Sequence, residues 1–475
     1  MKRISWSSLG PFFSRVVVLV LGFVFLVFIA CGQNGDDDDD VNQTDDDTNQ
    51  TADDDSSIDD DSSTDDDNGY LATDIEDATI VVGKTGDVWI GGDYYWTAEV
   101  AHWWTTKFSS SGDPMFSNLL EKHEGDAALM VPDSTGGIWL AQGRCIKYWI
   151  DGCAELSYAV RFLASDGTTS SQYIYELQPG EGATVKALAA DGEDRAVGAA
   201  SIGSSSQGTS YIQRFIVGIG QRPDILEVDR VGLSTDDRVV FDRNLNEYWV
   251  FLGDTTQLSI VKYDQTLTES WSRDFVIGSL LPVGSAVYQT SLVVDDEGGL
   301  ILGVDVSLPS GAVESIFAHI ESNGETVWNL TETNLTISEL AIGPDGQLFA
   351  SGFKKIDGAW QDYVLCIGNN GEKDWAIATS GLTWSKCGFD HLPLGIDESG
   401  NLYLGGGELL SYTSAGLQRW QVAAPQGTCI PDLSVSASGE VAIVAGRETS
   451  SVLITKKYSP SGTELWTAEF DPNNP

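Results

Sequence analysis

The residues of this 475-residue sequence whose chemistry depends most on spacing are its six cysteines and four histidines. His102, His123, His319 and His391 stand far apart, so none shares the short ligand spacing of a histidine metal site. There is no His-Glu-x-x-His, no Gly-x-Ser-x-Gly elbow, and Gly83-Lys84-Thr85 lacks the upstream glycine of a phosphate loop. Acids number 71, and any two could meet in a fold as an acid/base pair. An aspartate among serines and glycines is far more often a turn former than a catalyst. No catalytic residue, metal ligand or cofactor is assigned.

The cysteines read differently. Cys145 and Cys153 bracket an insertion and are expected to staple it, and Cys387 and Cys429 stand at equivalent places in neighbouring repeats, as a bridge would require. Cys366 lies within an apolar run and reads as a buried thiol. The remaining candidates are aromatic. Tyr94, Tyr95, Trp96, Tyr148, Trp149 and Trp360, with Lys354 and Lys355 beside the last, fall where each repeat passes from its second strand to its third. Trp384 and Phe389 fall in a connection between repeats. Aromatics gathered on one face offer stacking planes and contact area to a protein or a glycan.

Cys31 has its own context. A basic start with Lys2, Arg3 and Arg15 leads into the apolar run Val16 to Ala30, too short for a spanning helix of ~20 residues. Phe28-Ile29-Ala30-Cys31 resembles the lipobox of bacterial lipoproteins. The resemblance implies cleavage before Cys31, acylation of its thiol, and a lipid-anchored place in the cell envelope. Gly32 in place of aspartate after the cysteine favours the outer membrane. Residues 1–30 are thus expected to be a signal peptide, 31–68 an anchor and tether, and 69–475 the folded domain.

Asp36 to Asp67 holds 17 aspartates and no lysine or arginine, a composition too polar to offset ordering entropy. The whole chain carries −45, and most of that charge lies beyond the tether. Such a body repels phosphate backbones, which argues against nucleic acid as a partner. A monomer is expected.

The elements that must position these residues are strands. Fifteen Trp, fifteen Tyr and 51 Gly accompany only three Met, and no long 3.6-residue apolar period appears. One unit recurs: an apolar strand, a Gly turn, a second strand, a variable hairpin, a third strand, a second Gly turn, and a fourth strand beginning near Trp. Leu392–Gly405 followed by Tyr412–Trp420 is the clearest copy. Aligned first turns fall at Gly86, Gly136, Gly192, Asn246, Gly298, Gly346, Gly400 and Gly439, at intervals of 50, 56, 54, 52, 48, 54 and 39. Periods near fifty with four strands predict an all-β propeller of eight blades, with seven as the alternative. A Gly-x-x-x-Trp spacing recurs at Gly324/Trp328, Gly371/Trp375, Gly416/Trp420 and Gly462/Trp466, with near copies at Gly112/Phe116 and Leu267/Trp271. These aromatics are expected to fill the wedge between neighbouring sheets.

The repeat resembles quinoprotein-like and related bacterial β-propeller repeats. That likeness implies a fold and no particular activity. Quinoprotein dehydrogenases often carry adjacent cysteines or a Cys-x-x-Cys-His haem motif, and this sequence has neither. The reading favoured is a non-enzymatic binding module for a protein or polysaccharide. The alternative is an envelope glycan hydrolase or lyase using dispersed carboxylates across the axial funnel.

Overall fold

A computed structural model describes residues 78–97, 100–123, 129–133, 135–149, 152–176, 181–190, 196–204, 212–219, 223–229, 238–242, 247–253, 257–264, 268–276, 285–379, 391–447 and 450–471. All belong to the second of the two units into which the chain divides, Asp66–Pro475. Cys31, the aspartate-rich tether, and the turn residues Gly192, Gly220, Asn246 and Leu267 lie outside the described residues.

Every described element is a strand, and the strands form eight antiparallel four-stranded sheets, each built from four consecutive strands. The sheets span residues 79–123, 129–176, 181–229, 238–276, 286–333, 335–379, 394–423 and 429–470, numbered here as blades 1 to 8. The first strands of successive blades touch in order, and that of blade 1 (Thr79–Val82) touches that of blade 8 (Cys429–Val435), so the ring closes. The fold is an eight-bladed β-propeller.

Residue pattern explains which strand lies where. In blade 5 the second strand, Leu300–Ser307, is an almost unbroken apolar run and is buried along nearly its whole length. The fourth, Thr326–Thr333, alternates and leaves every other residue open to water. A blade is therefore apolar on both faces and must lie between two others. The cores bear this out, because each joins two blades: Ile301 and Phe317 of blade 5 pack with Leu340, Leu348 and Leu365 of blade 6. Each such side chain, once buried, contributes about 1.5–3 kcal/mol.

The Gly-x-x-x-Trp spacing has a geometric cause. Gly371 turns the chain at φ 80°, and a Cβ there would lie 2.6 Å from Cγ of Trp328 in the preceding blade. Only glycine allows both the turn and the indole lying on it. The arrangement repeats as Phe116 on Gly167, Trp271 on Gly324, Trp375 on Gly416, Trp420 on Gly462 and Trp466 on Gly112. The wedge expected from sequence is thus an aromatic of one blade seated on the outer turn of the next.

Closure between blades 8 and 1 uses side chains. Oδ2 of Asp432 accepts the Ile80 amide at 2.9 Å and the Thr79 hydroxyl at 3.0 Å, and the Ser434 hydroxyl accepts the Val82 amide at 2.9 Å. Trp104 of blade 1 stacks against Phe470 of blade 8, with ring centroids 4.6 Å apart. Among the described residues neither end lends a strand to the other's sheet.

Candidate binding sites

In blades 1, 2 and 6 the passage from second to third strand, where these aromatics fall, is an extended two-stranded arm. Tyr94, Tyr95 and Trp96 belong to the strand Val88–Thr97, and Tyr148 and Trp149 to the strand Ile138–Trp149, where Tyr148 pairs with Cys153 and Trp149 with Gly152. In blade 6, Leu348–Ile356 and Ala359–Ile367 are joined through Asp357 and Gly358, at φ 52° and 86°, the type I′ turn that suits strand twist. Trp360 pairs with Lys355 on this arm and is 37% exposed, a large apolar surface held out beside a cation. The structure describes only the backbone of Tyr94, Tyr95, Trp96, Tyr148 and Trp149, and Trp384 and Phe389 lie outside the described residues. Cys145 and Cys153 stand on the two arms of the blade 2 hairpin. Cys429 is disulfide-bonded, while Cys387, its expected partner, lies outside the described residues. Cys366 is a buried free thiol, pushed up to about 12 by burial and then by the charge of Asp374.

The axis of the ring holds a channel of about 780 Å³ whose mouth on the turn face is lined by Leu188, Val240, Leu292, Val294, Ile342 and Ile396, with Asp296, Asp397 and Glu398 at its edge. Three carboxyls elsewhere sit well above the ordinary range. Crowding by neighbouring strands pushes Glu339 up to about 8, and the charge of Asp432 adds to it. Two fifths of the Glu339 side chain nevertheless remains open to solvent, with His391 Nε2 at 3.9 Å. Burial raises Asp432 to about 6 and Asp305 to about 7. All three are held by the next blade. Glu339 accepts the Leu394 amide at 2.6 Å, Asp305 the Ile337 amide at 2.7 Å, and Asp432 the Ile80 amide. They clasp blade to blade.

A second cavity, about 670 Å³, opens between blades 5 and 6 on the turn face. His319 projects from the third strand of blade 5, and its Nε2 lies 2.7 Å from Asp295 Oδ2. Burial raises the Asp295 carboxyl, but the hydrogen bonds from His319 and the Gly299 amide outweigh it and hold the group below the usual range. Gly299 is needed for this contact, since a Cβ there would lie 2.6 Å from both Asp295 Oδ2 and His319 Nε2. Trp328 forms one wall, its ring 5.7 Å from the imidazole, and Asp345, Gly346 and Asn369 of blade 6 form the opposite side. Sequence reading treated His319 as an isolated histidine. The residue five before the outer turn glycine is Lys107 in blade 1, His319 in blade 5 and Lys457 in blade 8, but Phe162, Cys366 and Ser411 in blades 2, 6 and 7, so the repeat alone did not mark His319.

Comparison with known proteins finds only distant structural likenesses. No family model matches the chain, and no curated protein matches it. Among solved structures it is similar to the Dos1 propeller, at 10% identity over 83% of this chain and 94% of that one, with a TM-score of 0.48. A quinoprotein alcohol dehydrogenase-like protein from Bacteroides thetaiotaomicron shares 13% identity over 81% and 88%, at 0.38. The WD40 β-propeller domain of Doa1 shares 11% over 61% and 86%, at 0.34. Likenesses this distant say nothing of activity.

Proposed function

We propose that this chain is an envelope lipoprotein, anchored by acylated Cys31, whose propeller binds a protein or a polysaccharide without catalysing a reaction. The observation that carries the reading is the state of the three raised carboxyls. A general acid or base must reach a substrate proton, and Glu339, Asp305 and Asp432 instead each accept a backbone amide of the neighbouring blade. None of the three is among the residues that line the axial cavity. The hairpin face offers what a binder uses: an exposed indole on a two-stranded arm, with Lys355 as its cross-strand neighbour. Trp384 and Phe389, from the connection before blade 7, extend this face in the proposal.

One observation favours the hydrolase reading: the charge of Asp432 adds to the rise at Glu339, and burial raises both carboxyls, as an acid/base pair requires. Envelope glycan turnover by Glu339→Gln and Asp432→Asn variants decides between the two. Equal turnover with and without the substitutions leaves the binder, and loss of a measurable hydrolysis leaves the enzyme. A photo-crosslinker placed at Trp360 in intact cells then identifies the partner, and a crosslink that is unchanged when the probe moves to the turn face would sink the hairpin-face assignment. Cys31→Ser is expected to release the protein from the membrane fraction.

A further inference from the structure

We propose that the blade 6 arm binds an acidic polysaccharide, with one uronate ring lying on the Trp360 indole and its carboxylate paired to Lys355. The inference rests on the binder reading above and names the partner class for the same face.

The arm fixes both side chains through its register. Asp357 and Gly358 make a two-residue turn, so Ile356 and Ala359 close it, and Lys355 and Trp360 form the next pair along. The Lys355 amide points away from Trp360 and donates to the Asn334 carbonyl at 2.8 Å, which makes this a pair without backbone hydrogen bonds between its members. Cross-strand side chains come closest in such pairs, with Cβ atoms about 4.5–5.5 Å apart. A ring seated on the indole therefore has an ammonium within reach of its substituents.

Successive residues of a strand point to opposite faces, and the two lysines of the arm divide accordingly. Lys354 turns toward blade 5, where it pairs with Glu332 and lies 4.9 Å from the centroid of the Tyr363 ring. Lys355 faces the other way, on the side where Phe353 joins the core that holds Leu394 of blade 7. It is exposed and pairs with no carboxylate among the described residues. Asp362, next along this face, is buried. The indole is open as well. Lys107 caps Trp89 at 5.0 Å, whereas among the described residues neither a ring nor a cation lies over Trp360.

The chemistry selects an anionic sugar. The electron-rich face of an indole attracts the C–H bonds of a sugar ring, and one ammonium suffices for one carboxylate. On a chain of net charge −45 an unpaired cation beside an open ring suits an anion. A phosphate polymer is drawn more strongly to clustered arginines, and the arm has none. A protein partner fits less well, because an interface buries about 800 Å² on each side around an apolar centre of several side chains. The other large exposed apolar residues, Met115, Val327, Leu417 and Leu465, follow the outer-turn glycines within three positions and so lie at the opposite end of the blades. Among residues whose side chains are described, Trp360 stands alone on the hairpin face, flanked by Lys355, Asp357 and Gln361.

The test is calorimetric titration of the full chain with a short oligogalacturonate and with its methyl ester, which keeps the rings and removes the charge. Wild type is expected to bind the acid form, and the ester roughly tenfold more weakly. Trp360→Ala should lower the affinity for both by roughly tenfold or more. Lys355→Gln should bring the acid form down to the level of the ester and leave the ester unchanged. Both residues are exposed on the arm, so unchanged melting temperatures should accompany these losses. No binding by wild type, equal binding of the acid form by wild type and either variant, or capture of phosphatidylglycerol vesicles in place of the oligomer overturns the proposal. A protein crosslinked from Trp360 without any oligogalacturonate binding overturns it too and leaves the binder reading standing. Binding through Trp360 followed by cleavage of the oligomer supports it and ends the non-catalytic reading instead.

Discussion

The seam between blades 8 and 1 and the seam between blades 5 and 6 are built from the same repeat positions and differ in what crosses them. At the first, Lys457 spans to the Gly86 carbonyl, and Trp466 both seats on Gly112 and donates to the Ser110 carbonyl at 3.1 Å. At the second, His319 turns back to Asp295, and Trp328 seats on Gly371 but finds no acceptor. The outer edge of the second seam is held instead by Glu332 of blade 5, which takes Lys354 at 2.5 Å and Lys373 at 2.6 Å from blade 6. Burial raises the Glu332 carboxyl, but the two lysines outweigh it and leave it lowered. The comparison teaches that the aromatic-on-glycine contact, present at six of the eight seams, is common to both of these. The polar bridge beside it varies, and where it fails to cross, the ring keeps its shape and gains a cleft.

The largest expected contrast is at the bridging position itself. Lys457→Ala should cost about 3 kcal/mol or more, because it leaves Glu440 and a turn carbonyl without their buried cation. His319→Ala should cost about 1 kcal/mol, since Asp295 keeps its backbone amides. Urea denaturation of both variants checks this, and equal losses would break the comparison.

Dependence on pH should separate the seams next. Burial raises Asp432, at the closing seam, from the ordinary carboxylate range to about 6. Its contribution is therefore fully present below the unfolded value and is lost as pH climbs through about 6. Asp295, at the open seam, is lowered, so its contribution is present above the unfolded value and is lost only as pH falls below it. Denaturation midpoints across this range should show Asp432→Asn flattening the loss on the way up to about 6, with Asp295→Asn acting only on the acid side. The reverse assignment of limbs would refute the reading.

A smaller contrast lies in the indoles. Trp466→Phe gives up a hydrogen bond and should cost about 1 kcal/mol more than Trp328→Phe, which has none to give up. Paired thermal melts test it. Least of all, Trp360→Ala should move stability by no more than about 0.5 kcal/mol, because the indole stands on an exposed arm, while weakening any partner crosslink from that face.

Much of the fold was legible in the chain because a repeat states its rule several times. The outer-turn glycines, the aromatic four residues on, and the apolar second strands each follow from local needs: a positive φ, a ring on a bare Cα, a strand covered on both faces. The number of blades was readable only to within one, since a period near fifty with four strands favours eight and leaves seven open, and the closed ring of eight sheets decides it. The proposed address at Cys31 and the expectation that so acidic a chain avoids nucleic acid also rest on the residues alone.

Other features belong to the tertiary structure. The raised carboxyls of Glu339, Asp305 and Asp432 were invisible among 71 acids because their partners are amides of a different blade, 55 residues away for Leu394 and 352 for Ile80. The cleft at His319 was equally hidden. A histidine in a strand reads the same whether its ring reaches the next blade or stops at its own, and only the distance across the seam decides. Local geometry is written in neighbouring residues, but the reach of a side chain across a gap depends on how two sheets, each folded by its own rule, come to stand against one another.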